Sequence, residues 1–77
     1  MPHVVISCFN SDLDYKKIDN IQNKISKILN EELGCNISAV SIDIKMIKPE
    51  NWKDEVYNPI ILPRINSLIK KPEYKYD

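Results

Sequence analysis

The residues with the clearest chemical potential stand at the N-terminus, where Met1 is followed by Pro2 and His3. A small second residue permits removal of the initiator methionine, and the loss of Met1 would give Pro2 a secondary amine. A terminal amine ordinarily has a pKa of about 8, and burial lowers that pKa because it disfavours the charged form. A neutral amine at Pro2 would be a general base, able to take a proton from a carbon next to a carbonyl and return it elsewhere.

Composition argues against several other kinds of site. Eleven basic residues balance eleven acidic ones, whereas nucleic-acid binding requires clustered positive charge. Gly34 is the only glycine, which excludes phosphate-binding loops and dinucleotide fingerprints. His3 is the only histidine, so a zinc site built from one chain would lack ligands. We therefore expect no nucleic-acid partner and no metal.

Two predicted strands flank a long helix. Residues 2–9 form a nearly continuous apolar segment, which is typical of a strand covered on both faces. Residues 38–47 alternate between apolar and polar, as in a strand with one buried face. The helix is predicted over residues 15–33 because apolar residues recur there at helical spacing. These residues are Ile18, Ile21, Ile25, Ile28, Leu29 and Leu33.

Sequence signals also mark both ends of this helix. Asp12 or Asp14 is a suitable N-cap, and Gly34 stands where a left-handed C-terminal cap is expected. A helix of this length allows a right-handed crossover between parallel strands.

The last third of the sequence is less regular. Residues 51–57 are expected to form a helical turn that holds Trp52. Pro59 and Pro63 are expected to interrupt any long helix or to start new turns, and Pro63 is suited to the first turn of a short helix. That short helix would carry Ile65, Leu68 and Ile69, and the alternation of Tyr74 and Tyr76 suggests an edge strand.

Together these elements predict an α/β (α+β) fold, a β-α-β protomer with a C-terminal helix, as one domain over residues 1–77. Two strands alone make a marginal sheet in water. We therefore expect a symmetric homodimer in which two protomers build a four-stranded sheet. No apolar run of membrane-spanning length and no signal peptide is visible, and the two cysteines are best explained as reduced thiols. A soluble, cytoplasmic protein is expected.

Three blocks of sequence resemble the 4-oxalocrotonate tautomerase family, in particular its small, dimeric PptA-type branch. The blocks are residues 2–9 (PHVVISCF), residues 47–52 (IKPENW) with Val56 and Tyr57 after them, and residues 68–74 (LIKKPEY). They occur in the expected order, and the resemblance covers essentially the whole chain.

The resemblance implies a tautomerase that interconverts the enol and keto forms of a small 2-oxo acid or a similar compound. Pro2 would be its general acid/base, no cofactor would be needed, and the assembly would be a homodimer rather than the hexamer of other relatives. Trp52 falls where the family places an aromatic residue in the pocket wall. It is also explained by burial in a core or an interface, since large aromatic rings usually serve packing first.

The chain departs from the family at two places where relatives often carry arginine. Those places hold approximately Ser11 and Ser41, and the only arginine in the chain is Arg64. Substrate binding at Ser11 and Ser41 would then rely on hydroxyl groups, on lysine or on backbone amides, which orient a carboxylate less firmly than an arginine fork.

Two other functions remain open at this stage. The chain is compatible with a catalytically degenerate tautomerase fold that works as a binding or interaction module. It is also compatible with a small regulatory subunit, unrelated to tautomerases, that requires a different protein as its partner.

Overall fold

Apolar and β-branched residues form the first strand, β1, at His3–Phe9. The computed structural model describes residues 1–10 and 13–77. Within β1, Val4 and Ile6 are half-buried while His3 and Val5 are exposed, as the two-residue repeat of a strand requires. The strand agrees with the predicted segment to within one residue.

The helix α1 runs from Tyr15 to Leu33, as predicted. At its start the Asp14 carboxylate accepts a hydrogen bond from the backbone N–H of Lys17 at 2.9 Å. At its end Gly34 adopts a left-handed conformation with φ of 69° and donates its N–H to the Asn30 carbonyl at 3.1 Å. These two caps satisfy backbone groups that a helix end would otherwise leave without partners.

The second strand, β2, spans Ser41–Ile47 and begins later than predicted. Residues Ile37–Ala39 form a 3₁₀ turn instead, because the Asn36 side chain accepts the backbone N–H of Ser38 at 3.1 Å and holds a helical turn. β1 and β2 pair in parallel as a two-stranded sheet. The expected buried face of β2 is also incomplete, since Met46 is half exposed.

Residues 49–64 form an almost continuous helical segment, and the expected interruption at Pro59 is wrong. A 3₁₀ turn at Pro49–Asn51 leads into a π-helix at Lys53–Ile61, and a second 3₁₀ turn follows at Leu62–Arg64. Pro59 lies inside the π-helix. Proline clashes with the carbonyl four residues earlier in an α-helix, whereas the wider π-helical turn forms its bonds over five residues.

The chain beyond this helical segment also differs from expectation. Pro63 stands in the second 3₁₀ turn, but no regular helix carries Ile65, Leu68 and Ile69. Tyr74 and Tyr76 lie in irregular chain rather than in an edge strand. The C-terminal helix of the predicted fold is therefore the segment before Pro63 rather than the one after it.

The described residues fall into two compact units, Met1–Met46 and Ile47–Asp77. The first contains β1, α1 and nearly all of β2, and the second contains the π-helix and the C-terminal residues. A single domain over residues 1–77 stays a prediction. Within the ranges that the structure describes, no helix is long and apolar enough to cross a membrane.

Candidate active site

Pro2 lies immediately before β1 and is half-buried. Its carbonyl oxygen accepts a hydrogen bond from the backbone N–H of Ser41 at 3.1 Å. The amine of Met1 donates to the carbonyl of Ala39, also at 3.1 Å, while the Met1 side chain is almost fully exposed. The backbone around Pro2 is therefore held by bonds to Ala39, in the 3₁₀ turn before β2, and to Ser41, the first residue of β2.

Ser41, one of the predicted substrate contacts, is next to Pro2 through the backbone rather than through its side chain. The Ser41 hydroxyl oxygen lies 2.7 Å from Nδ1 of His3, and both residues are exposed. Strand alternation places the ring of Pro2 on the opposite side of β1 from the imidazole of His3. The structure thus brings Pro2 and Ser41 together, with the Ser41 hydroxyl engaged by His3.

Ser11, the other serine predicted to bind substrate, lies outside the described residues. The surface has a mostly apolar depression at the start of α1. Its lining consists of Leu13, Asp14, Tyr15, Ile18 and Met46. None of these residues was predicted as a site residue. Four of the five are apolar or aromatic, and Asp14 was predicted as a helix cap.

Trp52 belongs to the second unit and is half-buried at the beginning of the π-helix. Its indole Nε1–H donates a hydrogen bond to the hydroxyl oxygen of Tyr74 at 2.8 Å. The ring of Tyr74 in turn lies 5.7 Å from that of Tyr57, centroid to centroid. Sequence analysis did not predict Tyr74 as a partner of Trp52, because 22 residues separate them and no local pattern links them.

Potential metal ligands are dispersed in the part of the chain that the structure describes. No group of three or more histidine, cysteine, aspartate or glutamate side chains there is arranged to hold a metal ion. Cys8 and Cys35 are both free thiols and both half-buried.

The protomer has the fold of the 4-oxalocrotonate tautomerases. It is similar to the crystal structure of TomN, a 4-oxalocrotonate tautomerase homologue in the tomaymycin biosynthetic pathway. The TM-score is 0.61 over 66% of this chain and 77% of TomN. At 18% identity this likeness concerns the fold.

Sequence comparison narrows the class further. The chain is 36% identical over 76 residues to Tautomerase PptA of Pectobacterium atrosepticum, which covers 99% of this chain and 100% of the relative. It is also 34% identical over 74 residues to Tautomerase PptA of Escherichia coli O127:H6, covering 96% and 97% of the two chains. No protein-family model matches the sequence. The chain belongs to the 4-oxalocrotonate tautomerase family, among the PptA tautomerases, which supports an isomerase activity of the tautomerase type.

Proposed function

We propose that this protein is a cytoplasmic, cofactor-independent tautomerase that interconverts the enol and keto forms of a small 2-oxo acid, with Pro2 as its general acid/base. One observation supports this most directly. Pro2 is half-buried and fixed by backbone bonding at the start of β1, whereas Met1 before it is exposed and accessible to an aminopeptidase. A fixed secondary amine beside an apolar strand is suited to moving one proton.

The reaction needs only that amine. In its neutral form the nitrogen of Pro2 removes a proton from the substrate and becomes a secondary ammonium, leaving an enolate. The ammonium then returns the proton to a different atom of the same substrate, which regenerates the amine. The product is an isomer of the substrate, and no electron or chemical group leaves or enters.

The backbone near Ala39 offers a way to orient the amine once Met1 is gone. In the untrimmed chain the Pro2 nitrogen carries no hydrogen, and the Met1 amine donates to the Ala39 carbonyl. Removal of Met1 vacates this acceptor and gives the Pro2 nitrogen a hydrogen of its own. We propose that the trimmed nitrogen lies beside the Ala39 carbonyl, with the Ser41–Pro2 bond keeping the strands in register.

Binding of the substrate is proposed to involve Trp52, Ser41 and Ser11. Trp52 would supply an apolar surface for the carbon skeleton. Ser11 would supply a hydroxyl group, and Ser41 would supply its own only by leaving its partner His3, which lies on the opposite side of β1 from the Pro2 ring. The family resemblance implies arginine at both places. The exposed His3 that contacts the Ser41 hydroxyl provides a polar neighbour for it.

We propose a homodimer as the working assembly, because a two-stranded sheet is marginally stable by itself. Val5 and Phe9 of β1 and Met46 of β2 are each about half exposed in the single chain, although they are apolar. Light scattering after size-exclusion chromatography is expected to give twice the chain mass. A stable monomer, or six times the chain mass, would contradict the homodimer.

The state of the Pro2 nitrogen provides the decisive test. A protein carrying a cleavable N-terminal extension holds that nitrogen in an amide, and cleavage directly before Pro2 frees it. Ketonisation of phenylenolpyruvate is expected to be at least about 10²-fold faster after cleavage, because a positioned general base contributes that much or more to the rate. Circular dichroism of both forms controls for folding. Equal activity before and after cleavage would eliminate the amine as catalyst.

A second function has one observation in its favour. The only arginine, Arg64, is exposed and belongs to the 3₁₀ turn at Leu62–Arg64. The family resemblance implies arginine at two places where this chain has Ser11 and Ser41. A catalytically degenerate tautomerase fold that acts as a binding module would have this composition. Retention of Met1 in protein from its native cell, measured by mass spectrometry, would favour this function because an acylated Pro2 nitrogen is no base.

A further inference from the structure

The C-terminal residues hold the indole of Trp52 in place. Trp52 Nε1–H donates to the Tyr74 hydroxyl at 2.8 Å, a short and well-formed hydrogen bond between residues far apart in sequence. Trp52 is the N-cap residue directly before the π-helix, and it has further contacts besides this bond. The Tyr74 hydroxyl therefore binds the Nε1 side of the indole, while the backbone of Trp52 is held at the start of the π-helix.

Tyr74 is itself anchored by other rings. We define the tyrosine cluster as Tyr57, Tyr74 and Tyr76, whose ring centroids lie 4.9–6.0 Å apart in tilted and edge-on arrangements. Such geometries are the favourable ones for aromatic pairs. Tyr57 is only 5% exposed and supplies the buried base of the cluster. Tyr74 itself is 45% exposed, so its placement depends on packing of its ring against Tyr57 and Tyr76.

Lys53 also contacts the C-terminal residues. The Lys53 ammonium donates to the backbone carbonyl of Asp77 at 3.3 Å and lies 5.9 Å from the ring centroid of Tyr76. Lys53 directly follows Trp52, so the N-cap residue of the π-helix and its first residue both contact the C-terminal residues. Trp52 contacts Tyr74, and Lys53 contacts Tyr76 and Asp77.

We propose that Tyr74 is a positioning residue for substrate binding, because its hydroxyl fixes the plane of the Trp52 indole against which the substrate packs. This rests on the proposed function, in which Trp52 contacts the substrate. A fixed indole binds without first losing rotational freedom, and this lowers the cost of binding. Loss of the Tyr74 hydroxyl would therefore raise KM through Trp52, and kcat would not change because Tyr74 takes no part in proton transfer by Pro2.

The test compares Y74F with Y76F in the trimmed protein. Both variants keep their rings, but only Y74F removes the acceptor of the indole hydrogen bond. KM for phenylenolpyruvate is expected to rise about two- to tenfold in Y74F, as for net loss of one hydrogen bond, with kcat unchanged. Y76F is expected to match the wild type. Trp52 is the only tryptophan, so its emission and its single indole N–H resonance report the bond directly.

A W52F variant shows whether Tyr74 acts through the indole. If it does, the W52F/Y74F double variant has the KM of W52F alone, whereas independent effects would add. Additive effects, an unchanged KM in Y74F, or an indole signal that shifts equally in Y74F and Y76F would each overturn the positioning role. The proposed function fails by a different measurement, equal activity with Pro2 free and blocked, which does not involve Trp52 or Tyr74.

Discussion

Replacement of Pro2 by alanine is expected to lower kcat/KM for the ketonisation of phenylenolpyruvate about 10²-fold. A positioned general acid/base contributes roughly 10²- to 10⁴-fold. We expect a loss at the lower end of this range because the trimmed P2A protein still has a primary amine that can act as a weak base. That amine lacks the pyrrolidine ring, which ties the nitrogen to a fixed backbone angle, so it is free to rotate away from the substrate. Steady-state kinetics of both trimmed proteins measures the difference.

P63A is the matched control for this comparison. Pro63 is exposed and belongs to the 3₁₀ turn at Leu62–Arg64, so the same substitution there changes no proposed catalytic group. Its activity is expected to equal that of the wild type. The wild-type rate should also rise with pH as the amine of Pro2 loses its proton, since only the neutral form is a base. Equal rates for P2A and the wild type would remove Pro2 from the mechanism.

The first unit was largely predictable because local signals determine it. The limits of α1 follow from one apolar stripe, from a carboxylate at Asp14 that caps the helix, and from Gly34, which tolerates positive φ. The start of β2 was missed for an equally local reason. The Asn36 side chain satisfies the backbone N–H of Ser38 and favours a 3₁₀ turn over an extended chain, which alternation of apolar residues does not reveal.

The π-helix could not be predicted from helical periodicity. From its N-cap onward, the half-buried and buried residues include Trp52, Val56, Tyr57 and Ile61. They recur four and five residues apart, which fits the wider π-helical turn. A prediction based on α-helical spacing treats Pro59 as an interruption. The arrangement depends instead on a turn width that accommodates this proline.

The catalytic role of Pro2 stays a prediction, and the neighbours of the candidate site residues could not be predicted. Pro2 stands out by residue type and position, without knowledge of any contact. Its bond to Ser41 depends on the register of two parallel strands, and the bond of Trp52 to Tyr74 depends on how residues 72–77 return to the π-helix. Both are long-range pairings, and in neither case does a local pattern identify the partner.

Y57A is expected to lower the free energy of unfolding by about 3–5 kcal/mol, the range for truncating a buried aromatic side chain. Tyr57 is 5% exposed and its ring contacts both Tyr74 and Tyr76, so the variant leaves a cavity and removes two aromatic pairs. Small domains have only about 5–15 kcal/mol of stability. Urea unfolding followed by circular dichroism, at one protein concentration, measures the loss.

Y15A provides the same truncation without the burial. Tyr15 is 93% exposed at the first position of α1, so its loss is expected to change stability by less than about 0.5 kcal/mol. Equal losses in the two variants would mean that the tyrosine cluster does not stabilise the second unit. A large loss of unfolding free energy in Y57A alone would mean that packing of the tyrosine rings holds residues 72–77. It would also explain how an irregular segment holds the Tyr74 hydroxyl steadily enough to bind the indole of Trp52.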